Sequence, residues 1–91
     1  MGEMIITYKV MPTSPEVDLD EIVESVDDIL KNYDSEVTKT KKEPMAFGLN
    51  ALMIYFIVDE SVENTEDIEE KVSEMEKVQS VEVADMRRTV G

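Results

Sequence analysis

The segment from Ala46 to Val58 sets the first constraint on any fold of this chain. It reads Ala-Phe-Gly-Leu-Asn-Ala-Leu-Met-Ile-Tyr-Phe-Ile-Val and is the most apolar stretch in the sequence. Its β-branched and aromatic content favours a central strand over a helix. Gly48 inside it suggests a bulge or a close backbone approach. The uninterrupted apolar run, Ala51 to Val58, is eight residues long. A membrane-spanning helix needs about 18 or more, so this is not one.

A central strand needs neighbours, and the sequence supplies them. Met4 to Met11 alternates, with Ile6, Tyr8 and Val10 on one side and Thr7 and Lys9 on the other, and so predicts a strand with one buried face. The run Met11-Pro12-Thr13-Ser14-Pro15 ends it. Asp18 is placed as a helix N-cap, with Glu21 completing an acidic capping box. From Leu19 to Tyr33, apolar residues recur every three or four positions, which predicts an amphipathic helix. Asn32 to Ser35 breaks it. Ser35 to Lys42 is lysine-rich and suits a sheet edge, where charge discourages pairing with other chains. Glu43-Pro44 interrupts the chain before the central strand. Asp59 to Asn64 reads as a polar loop, Thr65 to Lys77 as a second helix, and Val78 to Met86 as a last alternating strand.

The order β-α-β-β-α-β predicts an α+β fold: a ferredoxin-like βαββαβ sandwich with a four-stranded antiparallel sheet and two helices on one face. The first and third strands are expected in the centre and the second and fourth at the edges. Residues 1–91 are read as a single domain.

Composition narrows the chemistry. The chain has no cysteine and no histidine, which removes disulfides, thiolate chemistry, and the commonest general base and metal ligand. No nucleophile sits in a recognisable activating motif. No phosphate-cradling glycine loop is present. The acidic residues around Glu66 to Glu76 lack the loop that calcium needs, so no metal or cofactor is expected. The net charge of −13 argues against direct nucleic-acid binding. The start of the chain enters a strand pattern directly, without the basic and apolar regions of a signal peptide. The expectation is a cytoplasmic, non-enzymatic protein with no membrane association.

The nine basic residues are not evenly spread. If the first and third strands run parallel and the other two run opposite, one end of the sheet collects Phe47 and Gly48, Lys41 and Lys42, and Arg87 and Arg88. That would be a cationic corner holding an aromatic residue. Lysine-rich edges and charged termini are also ordinary solubility devices, and Phe47 is compatible with a place in the core.

Glu43-Pro44-Met45-Ala46-Phe47-Gly48-Leu49, followed by Leu52, Ile54, Val58 and Asp59, resembles the signature of the exchange domain of translation elongation factor 1-beta. Val78 to Ala84, with Gln79-Ser80, is similar to that family's final strand, and Val10 and Pro12 also fit. The resemblance covers essentially the whole chain and is closest to the short archaeal-type form. It implies guanine-nucleotide exchange on the GTPase elongation factor 1-alpha. In the family, an aromatic packs into a pocket of the GTPase, and a basic residue near the C-terminus reaches toward its magnesium site. Phe47 takes the first role, and Arg88 falls where the family has a lysine. The chain continues through Thr89-Val90-Gly91, so Arg87 remains the other candidate. The resemblance implies Phe47, Gly48, Lys42, Arg87 and Arg88 as the partner-binding set. A monomer is favoured, with the oligomeric state left open by the sequence. The competing reading is a ligand-sensing regulatory domain that pairs through its open sheet face, on which Met53, Tyr55 and Ile57 would stand.

Overall fold

The computed structural model describes residues 2–59 and 65–88. Its elements follow the expected order: β1 (Glu3–Pro12), α1 (Leu19–Lys31), β2 (Val37–Pro44), β3 (Asn50–Asp59), α2 (Thr65–Ser73) and β4 (Val78–Arg88). The four strands form one sheet in the order β2-β3-β1-β4, antiparallel at every junction. The fold is ferredoxin-like. Most of the loop expected at Asp59 to Asn64, and the tail from Thr89 to Gly91, lie outside the described residues.

Both central strands bury one full side against the helices. Ile6, Tyr8 and Val10 of β1, and Leu52, Ile54, Phe56 and Val58 of β3, are essentially inaccessible. Leu19, Ile22, Val26 and Leu30 from α1, and Ile68 and Val72 from α2, close over them. Each such side chain contributes about 1.5–3 kcal/mol relative to exposure. Tyr8 and Phe56 meet edge to face with ring centroids 4.9 Å apart.

The caps explain where the helices begin and end. Asp18 is the N-cap of α1 and accepts from the backbone N–H of Asp20 at 3.0 Å. Glu21 does not turn back to complete the box; its carboxylate pairs with Lys77, beyond α2. A long-range partner of opposite charge has displaced the local one. That same pairing holds the Lys77 ammonium above its usual pKa. Asp34 adopts a left-handed φ of 56° and ends the helical segment, with Ser35 N–H bonding back to the Leu30 carbonyl at 3.0 Å. α2 stops at Ser73, short of the expected Lys77, and the chain turns through Met75 into β4.

One expectation about direction is overturned. β1 and β3 run antiparallel, not parallel. The crossover through α1 joins β1 to a parallel β2 and leaves a gap one strand wide. β3 fills it as the hairpin partner of β2, so it opposes both neighbours.

The phenol of Tyr8 donates to the Thr65 carbonyl at 3.1 Å and ties β1 to the start of α2. Burial, reinforced by the Glu69 carboxylate, pushes this phenol well above its ordinary pKa. Tyr8→Phe should lower stability by about 1 kcal/mol at neutral pH, since the hydrogen bond to a partly buried carbonyl is lost. A phenol whose folded pKa is raised stabilises fully below the unfolded value of about 10 and loses that contribution as pH rises through the folded one. Urea unfolding at pH 7 and pH 11 should therefore show the gap between wild type and Tyr8→Phe narrowing at the higher pH.

Candidate functional site

The β2–β3 hairpin is where the sequence departs from regular structure. Pro44 is paired with Asn50 at the end of the edge strand β2, where its missing N–H is tolerated. Between them the Met45 N–H donates to the Leu49 carbonyl at 2.7 Å, and Ala46 to Gly48 form one 3-10 turn. Phe47 is not part of β3, as expected from the apolar run, but stands in this turn. Its backbone is left-handed, at φ 64° and ψ 27°, and Gly48 follows at φ 75°. No atom lies within 4 Å of where a Cβ on Gly48 would be. Glycine is required there by its dihedral angle, not by a close approach.

The Phe47 side chain is 95% exposed, which excludes the place in the core with which its sequence was also compatible. Two terms thus oppose it in the free protein: a bulky residue in the left-handed region costs about 1–2 kcal/mol, and a large apolar surface remains in water. Neither folding nor packing accounts for a phenylalanine held this way. Backbone strain at an exposed side chain points to function. Met45, also exposed, flanks it on the same tip.

The single corner expected to gather Phe47 with both arginines does not form. β4 is parallel to β3, so its end lies far from the start of β3. Arg88 is beside Met4, which is level with Val58, whereas the tip begins before Asn50. Asn50 to Val58 alone spans about 27 Å at about 3.4 Å per residue. The long axis of the molecule measures 42 Å. Lys41 and Lys42 do lie toward the tip, paired with Met53 and Leu52, and Lys39 lies further along, opposite Tyr55.

The arginines also differ from each other. Arg87 pairs with Ile5 on the helix-free side of the sheet and is fixed by Asp85, Nε to Oδ2 2.8 Å. Arg88 pairs with Met4, on the side that carries the core. Met86 and Val83 precede it on that side, both substantially exposed, and the sequence pattern had not marked them. Lys42 projects toward α1, 3.9 Å from the Asp20 carboxylate. No cluster of carboxylates able to hold a metal ion occurs among the described residues.

A family model described as the EF-1 guanine nucleotide exchange domain matches residues 5–89. The chain is 40% identical to a protein named elongation factor 1-beta from Methanobrevibacter smithii, over 97% of this chain and 98% of that one. It is likewise 40% identical to one of the same name from Hyperthermus butylicus, over 97% and 96%. A third, from Methanocaldococcus jannaschii, is 34% identical over 94% and 97%.

Phe47→Gly should leave the fold intact and raise its stability by up to about 1 kcal/mol, the relief of left-handed strain outweighing the added unfolded-state entropy. Thermal melting checks this. A loss of about 3 kcal/mol or more, as for a core phenylalanine, would return Phe47 to the core.

Proposed function

The chain belongs to the family of EF-1 guanine nucleotide exchange domains, and from that premise we propose that it releases GDP from elongation factor 1-alpha by gripping the GTPase at two separate places. The observation that carries this reading is Phe47, exposed and held in a strained turn. On this reading Phe47 fills an apolar pocket of the GTPase, and Gly48 supplies the turn that presents it. At the other end of the sheet a cation approaches the magnesium and phosphate site. Arg88 is the better candidate, because it stands where the family has a lysine and its register beside Met4 sets it on the side of the sheet opposite Arg87. Lys42 supports the tip from the α1 side.

The physics of release needs no covalent step. Mg²⁺ is the largest local positive charge on a bound diphosphate, and a protein cation in its place is a weaker clamp. A partner that binds the nucleotide-free GTPase more tightly than the GDP form weakens GDP binding by the same factor. The guanidinium is planar and more weakly hydrated than an ammonium, so it can approach phosphate oxygens in a fork but does not replace a point charge in the same way. Residues 1–91 then act as one cytoplasmic exchange domain without cofactor, metal or nucleic acid of its own. The match to an exchange domain gives the ligand-sensing alternative no support.

GDP release from elongation factor 1-alpha should accelerate at substoichiometric amounts of this chain. Phe47→Ala should weaken GTPase binding by about 2 kcal/mol or more while the rate at saturation is largely kept. Arg88→Ala should lower the saturating rate, and Arg87→Ala should lower it less. Because the two ends are far apart, the losses of binding energy in the Phe47→Ala, Arg88→Ala double variant should add to within about 0.5 kcal/mol. Strong non-additivity would place both residues in one shared contact. Unchanged release over a wide range of concentration would defeat the reading itself.

A further inference from the structure

We propose that the helix-free face of the sheet is a self-complementary surface on which two copies of this chain stack face to face. The two-fold axis lies in the interface and runs parallel to the strands. This extends beyond nucleotide exchange and departs from the monomer favoured on the sequence.

The argument rests on register. Two neighbouring rows cross this face from β2 to β4. One is Lys39, Tyr55, Thr7, Asp85; the next is Lys41, Met53, Lys9, Glu82. Each row begins with a lysine on one edge strand and ends with a carboxylate on the other. A two-fold axis parallel to the strands lays each row on its own reverse. Lys39 then meets Asp85 of the second copy, and Lys41 meets Glu82. Four complementary pairs rim the interface: among the described residues neither lysine is ion-paired within its own chain, and each would join a carboxylate that already holds a cation of its own chain, Asp85 with Arg87 and Glu82 with Lys9.

Shape agrees with charge. The same operation sets Tyr55 of each copy over Thr7 of the other. Thr7 lies in a shallow concavity that also includes Ile5, Met53 and Ala84. Tyr55 and Thr7 are neighbours in one row, on adjacent strands, with Tyr55 forming one wall of the concavity, and the two positions exchange places under the axis. In the single chain Lys39 lies over the Tyr55 ring, 5.7 Å from its centroid, so stacking requires its ammonium to swing outward from the ring toward Asp85 of the second copy. The next level pairs Ile57 with Ile5, apolar against apolar.

Electrostatics also selects this face for contact between like molecules. The helix layer is strongly acidic: α1 has five carboxylates against Lys31, and α2 has four against Lys71. On the open face, the four cations Lys9, Lys39, Lys41 and Arg87 nearly balance the carboxylates. A second copy of a chain with charge −13 meets least repulsion there. Four strands at about 4.8 Å spacing and about eight residues at about 3.4 Å give roughly 500 Å² per copy. The total of about 1,000 Å² stands at the lower limit for a specific interface, so the association is weak and reversible.

The test is a charge swap. Sedimentation of the wild type from about 10 μM to about 1 mM should show a monomer passing to a dimer. K39E/K41E and E82K/D85K should each stay monomeric, because both rims of each variant then carry one sign. Mixed one to one, they should form a heterodimer, since an all-acidic face meets an all-basic one. Circular dichroism checks that each variant folds. Should one fail, dilution of the wild type followed by amide NMR shifts gives the same answer, with changes expected at Thr7, Tyr55 and Asp85. A wild type that stays monomeric throughout, variants that dimerise like the wild type, a mixture that stays monomeric, or dilution shifts confined to the helices or the tip would each overturn the proposal.

Discussion

The antiparallel seam between β1 and β3 is the interaction on which the rest depends. Both strands bury one complete side under the helices, and every other element is placed relative to them. α1 crosses from β1 to β2 over that buried side and forces β2 beyond β3. The hairpin between β2 and β3 must then project from the end of the sheet where β1 finishes. β4 pairs along the remaining side of β1 and finishes where β1 begins. The separation of Phe47 from Arg88 is thus a consequence of topology. Any sequence that builds this sheet places the hairpin tip and the last strand's end at opposite poles.

Under the proposed two-point grip, that separation would give the sheet a mechanical role. Its hydrogen-bonded backbone, paired on both sides of the seam, sets the distance between the hairpin tip and the end of β4. Small features fasten the sheet where it could slip. The Val37 N–H donates to the Asp27 carboxylate at 2.9 Å, and Ser35 Oγ donates to the Ile57 carbonyl at 2.6 Å, so β2 is tied at its start to both α1 and β3. The strained turn at Phe47 is affordable because it lies beyond the paired residues, where its distortion does not enter the ladder.

Much of the fold was legible because its signals are periodic. The alternation of Ile6, Tyr8 and Val10 and the three-four spacing from Leu19 to Leu30 each admit one reading, and burial follows both. Asp18 was legible as a cap because its chemistry is local. Glu21 was misread because its partner, Lys77, is remote in sequence. Phe47, expected within a strand, stands in a turn, since an apolar run conceals a turn when the turn itself contains phenylalanine and alanine. The Phe-Gly pair after a proline was the available signal. The corner failed for a different reason: composition locates charges along the chain, but strand direction decides which ends meet.

The orientation of the two arginines shows how little sequence distance such a decision can need. Strict alternation from Val81 and Val83 would carry Asp85 and Arg87 onto the core side and turn Arg88 away from it. The structure does the reverse. Thr7 pairs with Asp85 and Tyr8 with Val83, so Ala84 is an extra residue with no partner in β1. That bulge shifts the phase of everything after it. Val83, Met86 and Arg88 come to one side, and Asp85 and Arg87 to the other, where they pair. A one-residue slip in a strand exchanges its two faces, and here the slip is built in. The same bulge that aims Arg88 to one side of the sheet sets Asp85 into the charged row on the other. One inserted alanine therefore allots the last strand's charges between the surface read as facing the GTPase and the surface read as facing a second copy.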